Sequence, residues 1–395
     1  MRYAACAPGG EFPFSVPLKP MDGPLTIDEV FDAYFDCRKH KRNTVNQLRF
    51  EADLETNLVA LYRELADDSY RIGRSVAFVV TYPKIREIWA ADFRDRVVHH
   101  IIYNRISGHF YRRFIRDTYA CIPGRGTHDG MRRVSGFARS ITRNWTCPAY
   151  ALKIDIANFF NSIDRHRLLE ILERHPAEPW LHDLIRQVTL HDPRPNAVLR
   201  SSPALFEKVP PHKSLRRAPD GKGLPIGNLT SQFFANVYLN ELDQYVKHRL
   251  RARYYGRYVD DMMLFHEDPG VLNSWYIQID GFLQDRLALR LHPGKKHLNR
   301  AETGIDFTGF IIKPGRVYLR QTSLARCKHK IRGWERAGGQ IDPETLTRLS
   351  ASVNSYLGML RQVNGYRVRE SLCARIESLF LNADEECTKI WAAKQ

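Results

Sequence analysis

The apolar patterning of the chain predicts an α+β fold in which antiparallel strands carry the most reactive residues and helices flank them. Three observations lead there. Tyr258-Val259-Asp260-Asp261 lies between Arg253-Tyr254-Tyr255-Gly256-Arg257 and Met262-Met263-Leu264-Phe265, runs that suit two short strands with the acid pair at the tip of a tight hairpin. Ala149-Tyr150-Ala151-Leu152-Lys153-Ile154 reads as a buried strand that ends on Asp155. Helical spacing appears early, in Val30, Phe31, Tyr34 and Phe35 and then Leu54, Leu58 and Leu61, and returns near the end over 346–360 and 368–381.

The acids carry the chemistry. One aspartate at a hairpin tip is a solvated turn, whereas two in succession between strand-forming residues repel each other and favour a bound cation. Asp155, closing an apolar strand, is costly unless something cationic meets it. If strand and hairpin lie side by side, three carboxylates converge, a donor set suited to two hard Mg²⁺ ions rather than a soft metal. Two such ions about 3.5–4 Å apart activate an attacking hydroxyl and stabilise a leaving pyrophosphate in an in-line displacement.

Composition narrows the partner. The 395 residues, 43% of them hydrophobic, suffice for a sizeable core, and a net charge of +16 points to a polyanion, either nucleic acid or an anionic membrane surface. No segment is long and apolar enough to span a bilayer, and the start of the chain, with Pro8, Glu11, Pro13 and Lys19, lacks the apolar centre of a signal peptide. Nucleic acid is therefore the expected partner, and no membrane. Seven cysteines without a Cys-x-x-Cys pair indicate neither a disulfide framework nor a zinc ribbon, which makes the reducing cytoplasm the expected location.

Asp155 with Phe160, the Tyr258-Val259-Asp260-Asp261 hairpin, and Gly223-Leu224-Pro225-Ile226-Gly227-Asn228-Leu229-Thr230-Ser231-Gln232 resemble, in order and spacing, the successive palm motifs of prokaryotic reverse transcriptases. The resemblance is nearest to the enzymes of diversity-generating retroelements and of antiphage defence, and runs from about Tyr82 to Tyr366. It implies a right-hand polymerase with a leader and helices over 1–70, fingers over 71–145, an antiparallel-sheet palm over 146–312 and a short helical thumb over 313–395. The implied activity is RNA-directed DNA synthesis with two Mg²⁺ ions held by Asp155, Ile156, Asp260 and Asp261. The implied partners are an RNA template, a DNA product, a cognate non-coding RNA and an accessory protein.

Taken in order, 1–24 reads as an irregular leader and 27–65 as helices. Val76 to Val80 is a strand candidate, followed by Pro83-Lys84-Ile85-Arg86. The resemblance implies that Lys84 and Arg86 fold over the incoming triphosphate, with Arg86 favoured because its fork binds oxyanions two at a time; a basic surface strand is the plainer alternative. Asp92 to Ile102 begins an amphipathic helix with Val97, Ile101 and Ile102 inward and Arg94 and Arg96 available for either packing or template. His99 and His100, about 100° apart on that helix, are not expected to share a metal. Cys121 to His128 is a glycine-punctuated turn in which Arg125 suits a template phosphate.

Phe160, five residues after Asp155, stands where the family places a ring beneath the nucleotide sugar, which implies selection against a 2′-hydroxyl. Phe159 is assigned to the core because consecutive residues of an extended segment face opposite ways. The proline-rich, basic stretch 191–222 forbids a long helix or central strand and reads as a loop inserted in the palm, either touching RNA or merely solvated. Thr230 or Ser231 can cap the next helix. At Ile226 many relatives have a glutamine, and the apolar residue here is shared with diversity-generating enzymes of low fidelity. By the same resemblance Ile226, Gly227 and Lys295 contact the nucleotide, and Ser231, Gln232, Tyr258 and Gly309 the template or primer. Lys295 and Lys296 are equivalent by position alone, either one able to protonate the departing pyrophosphate. Ile305 to Phe310 resembles the primer grip. Two other classes remain open: a template-independent or protein-primed nucleotidyltransferase on this scaffold, and a catalytically silent RNA-binding protein.

Overall fold

The computed structural model describes residues 23–39, 44–336, 342–377 and 381–392, so most of the expected leader lies outside the described residues. Three helices open the fold: α1 (Ile27–Arg38), α2 (Val45–Glu51) and α3 (Leu54–Ala66). Helix α1 starts at a reciprocal cap, with the Thr26 hydroxyl accepting from Glu29 N at 3.4 Å and Thr26 N donating to Glu29 Oε2 at 2.9 Å. Val30, Tyr34, Leu58 and Leu61 are buried as their spacing predicts, but Phe35 faces solvent.

The hairpin β1 (Val76–Val80) and β2 (Arg86–Ala90) follows, then α4 (Phe93–Arg113) and α5 (Thr127–Ile141). Strand β3 (Tyr150–Ile154) leads through the single turn α6 (Phe159–Ser162) to α7 (Arg165–Glu173), α8 (Pro179–Leu190), β4 (Val198–Leu199) and α9 (Pro203–Glu207). Helix α10 (Leu229–Gln244) precedes β5 (Tyr255–Tyr258) and β6 (Asp261–His266), followed by α11 (Pro269–Leu287) and β7 (His297–Arg300). A meander, β8 (Ile305–Phe307), β9 (Phe310–Lys313) and β10 (Arg316–Leu319), gives way to α12 (Gln321–Arg336), α13 (Pro343–Arg361) and α14 (Tyr366–Glu377). Strands β11 (Leu381–Ala383) and β12 (Ile390–Ala392) pair antiparallel, so the expected helix over 368–381 gives way to a hairpin at Leu381.

The central sheet has the order β5-β6-β3-β7, every neighbour antiparallel. Its residues alternate between two cores as a period of two demands. Leu152, Ile154, Met262 and Leu264 join the N-terminal helices, α4 and α10, whereas Ala151, Met263 and Phe265 join α5, the meander and the C-terminal helices. Strands β5, β6 and β3 are thus covered on both faces, while the edge strand β7 is largely exposed. Its register sets Ile154 opposite Met262 and Tyr258 opposite Asp261, which brings Asp155 to the end of the sheet where the β5–β6 turn lies.

Residues 191–222 are ordered, as one reading of the stretch expects, but pack on the β1–β2 hairpin. Strand β4 pairs parallel to β1, and Phe206, Val209, Leu215 and Ala218 close a small core with Ala77, Val79 and Trp89. The prolines do exclude a long helix, as expected, but the segment folds as short turns onto the β1–β2 hairpin. Among the described residues no helix is long and apolar enough to cross a membrane.

Candidate active site

The β5–β6 turn is built on an unusual backbone. Val259 has φ +55°, a conformation that a β-branched side chain rarely adopts. Its carbonyl accepts from Arg257 Nη1 at 2.8 Å, and Arg257 is itself wholly buried against Asp243. Gly256 is required beside it, because a Cβ there would lie 2.7 Å from the Tyr119 hydroxyl. The turn therefore aims Asp260 and Asp261 from a fixed base.

At the end of β3, Asp155 Oδ1 accepts from Lys295 Nζ at 2.7 Å, while Lys153 Nζ stands 3.8 Å from Asp261 Oδ2. Burial pushes the Asp260 carboxyl up to about 7, and the charges of Asp155 and Asp261 push it the same way. Asp261 is also raised, chiefly by burial, with Lys153, Lys295 and Arg320 opposing. All three carboxylates lie in one another's field.

That mutual repulsion, on hard oxygen donors alone, fits divalent cations. Ile156 has a buried side chain and offers only its main chain. Among the described residues no three His, Cys, Asp or Glu side chains are already gathered as a metal cluster, since Asp155 and Asp261 each face an ammonium group. The two lysines neutralise what bound cations would neutralise. Lys153 escaped the sequence reading, although its place two residues before Asp155 puts both on one face of the strand.

Lys295 and Lys296 now separate: Lys296 Nζ donates to Asn273 Oδ1 at 2.7 Å and stacks over Tyr276, away from Asp155. Phe159 is in the core, as expected but for a different reason, and Phe160 is half-buried. The pair opens α6 rather than an extended segment, and neighbouring helical residues diverge by about 100°. Phe160 O accepts from Leu224 N at 2.8 Å, joining it to the loop before α10. In that loop Ile226 O accepts from Trp89 N at 2.8 Å, and Gly227, at φ +135°, leaves no room for a Cβ, which would fall 2.9 Å from Ile88 Cγ2. Strand β2, the loop and the Phe160 turn thus form one wall. Lys84 lies exposed in the β1–β2 turn and Arg86 is exposed at the start of β2; among the described residues neither makes an ion pair.

The other residues singled out in the sequence have definite surroundings. Arg125 is a brace, its Nη1 donating to Ile115 O at 2.8 Å and Thr118 O at 3.0 Å, and burial lowers its pKa. Arg94 is tied to Glu64 and stacked over Tyr70, and Arg96 Nε donates to Ala91 O, so both serve packing. Ser231 is buried and Gln232 accepts from Cys121 Sγ at 3.3 Å. Neither Thr230 nor Ser231 caps α10: Asn228 holds the N-cap position and its Oδ1 accepts from Ala91 N, while the Thr230 hydroxyl meets His99 Nδ1 at 2.7 Å. Tyr258 ends β5 half-buried, and Gly309 turns β8 into β9 at φ +93° with its carbonyl accepting from Arg320 N at 2.9 Å.

Comparison with known proteins follows from this geometry. The model of a family described as "Reverse transcriptase (RNA-dependent DNA polymerase)" matches residues 82–312. None of the curated proteins matches the chain. Among solved structures, the telomerase of Candida albicans in complex with a TWJ fragment of telomeric RNA is similar, at 12% identity and a TM-score of 0.44. The alignment covers 82% of this chain and spans 60% of that one.

Proposed function

From the premise that the chain belongs to the reverse transcriptase (RNA-dependent DNA polymerase) family, with its right-hand polymerase fold, we propose that it extends a primer 3′-hydroxyl with deoxynucleotides on an RNA template at Asp155, Asp260 and Asp261, within a bacterial retroelement or antiphage defence system. The observation that carries this reading is the convergence of the three carboxylates, with Asp260 raised to about 7 by burial and by the charges of Asp155 and Asp261, and with Lys295 on Asp155. Two Mg²⁺ ions held by those carboxylates and the Ile156 main chain would activate the primer hydroxyl and offset the charge of the leaving pyrophosphate.

The protein's own groups divide the remaining work. Arg86 and Lys84 bind the triphosphate from β2 and the turn before it; Phe160 lies under the sugar and excludes a 2′-hydroxyl. Ile226 and Gly227 line the nucleotide loop, and Lys295 supplies a proton to pyrophosphate as it departs. The β8–β9 turn at Gly309 and Tyr258 hold the primer end. In this assignment β1–β2 belongs to the fingers, the central sheet to the palm and α12–α14 to the thumb, with a cognate RNA and an accessory protein as partners.

The test is primer extension by the purified chain with Mg²⁺ on defined RNA, offering one labelled nucleotide at a time. Templated dNTP incorporation that disappears in Asp260→Asn is the expected result. Incorporation indifferent to the template, or onto the protein itself, would identify the untemplated nucleotidyltransferase instead; RNA binding without synthesis would identify the silent scaffold. RNA that co-purifies with the chain, sequenced and mapped beside its gene, tests the biological setting.

A further inference from the structure

Residues 191–222 have no part in the reading above, yet they grip a single buried carboxylate. Glu87 on β2 is 2% exposed. Its Oε2 accepts from Leu215 N at 2.9 Å, from Arg216 N at 3.4 Å and from the Trp89 indole at 3.1 Å, and its Oε1 accepts from the Ser214 hydroxyl. A carboxylate so enclosed holds its partners in one geometry, since every oxygen is already used.

The same turn reaches the other wall of the site. Leu215 Cδ1 lies 2.6 Å from where a Gly223 Cβ would stand, so its side chain fills the space that glycine leaves. Gly223 N and Leu224 N donate to Ile163 O and Phe160 O, each at 2.8 Å, and Asn161 Nδ2 donates to His212 O at 3.4 Å. On the β2 side, Trp89 N donates to Ile226 O. A closed circuit therefore runs from Glu87 through Leu215, Gly223 and Phe160 to Ile226 and back to β2.

We propose that Glu87 and the 191–222 segment are positioning elements for nucleotide selection, fixing the span between Arg86 and Phe160 so that the triphosphate and the sugar are read together. The inference rests on the function proposed above. Neither Glu87 nor Leu215 touches nucleotide. Their effect passes through the placement of Arg86 and Phe160, and a displacement of an ångström at a reacting site is enough to cost orders of magnitude.

Leu215→Ala keeps the main-chain bonds to Glu87 but opens the contact with Gly223; Glu87→Gln retains an acceptor oxygen for the N–H donors. Steady-state extension of an RNA-templated primer with dTTP and with UTP, alongside primer-template affinity and a thermal melt, reads the outcome. Leu215→Ala should raise the KM for dTTP about tenfold and erode the preference for dTTP over UTP about tenfold, with kcat and primer-template affinity little changed. Glu87→Gln, which replaces one acceptor oxygen by an NH2 donor, should move KM and the sugar preference in the same direction by a smaller factor. A folded Leu215→Ala protein with wild-type KM and sugar preference would overturn the proposal, as would a loss confined to kcat or to the melting temperature. Should Leu215→Ala fail to fold, Ser214→Ala, which removes one hydroxyl from Glu87, decides by the same KM and preference shift or its absence. If the wild type makes no DNA at all, the polymerase reading itself has failed; if it does and the variants keep its selectivity, only the positioning role has.

Discussion

Arg257 and Asp243 form a two-pronged ion pair with no exposure on either side chain, Nε to Oδ1 at 2.8 Å and Nη2 to Oδ2 at 2.6 Å. The carboxylate also accepts from the Tyr255 hydroxyl at 2.7 Å and from Thr118 Oγ1 at 2.9 Å, which leaves the third arginine nitrogen free to hold Val259 O. The strained turn that aims the acids is thus anchored to a charge pair beneath it.

Breaking that pair from one side leaves a buried charge uncompensated. Arg257→Met or Asp243→Leu alone should destabilise the protein by about 3–5 kcal/mol, whereas the double variant should recover part of the loss. Denaturant unfolding of the three proteins gives the coupling directly. A double variant no more stable than the sum of the singles would remove the pair from the account.

Asp260 makes the metal-free protein sensitive to pH in a definite direction. Its folded pKa of about 7 lies above the usual aspartate value, so the neutral form is favoured on folding. The stability it contributes is complete below about pH 4 and is lost as pH rises through 7. Asp260→Asn, which is expected to end catalysis, should therefore match the wild type near pH 4 and exceed it at pH 8 by on the order of 2 kcal/mol in EDTA. Millimolar Mg²⁺ should close that gap by stabilising the wild type alone. Equal stabilities at both pH values would show that neither burial nor its acidic neighbours raise Asp260.

The proposed role of Phe160 in sugar choice has a direct test. Replacing it with alanine should raise ribonucleotide incorporation by an order of magnitude or more, with dNTP use falling less. A ring serving only the core would instead leave a cavity costing roughly 3–5 kcal/mol and no change of preference. The ratio of kcat/KM values for rNTP and dNTP, read beside the melting temperature, separates the two.

Lys295 and Lys296 should behave differently despite their adjacency. Lys295→Gln is expected to slow nucleotide addition by about 10²–10⁴, the range of a lost general acid, while Lys296→Gln, which gives up only Asn273 and Tyr276, stays within a few-fold. Single-turnover rates at saturating nucleotide measure both. Comparable losses would mean that neither lysine is the proton donor.

The acids were readable because their signal is local: strand-forming residues around Asp260 and Asp261, and an apolar run closing on Asp155, need no distant partner to be recognised. What failed was long-range. Nothing near Glu87 announces that Leu215, far along the chain, will dock on it, and nothing near Arg257 announces that Asp243 will fold beneath it. Arg94 and Arg96 were open to packing or template and Arg125 to a template phosphate; carbonyl groups and Glu64 hold them. The Thr230 cap was lost to competition, since a buried His99 offers its hydroxyl a partner that water cannot replace. The Leu381 hairpin was hidden because three-residue strands are too short for periodicity to register.

Strands β5, β6 and β3, which carry Asp155 and Asp261, present neither face to water, and this governs how the molecule loses its activity. An element whose two sides belong to two different cores has no inexpensive way to fray, so its amides exchange only when both cores come apart. Heating therefore leaves no window in which the body survives while the acids drift. Inactivation and cooperative melting become the same event, and the softness that a polymerase needs for translocation has to reside in the hairpins and helices around the sheet.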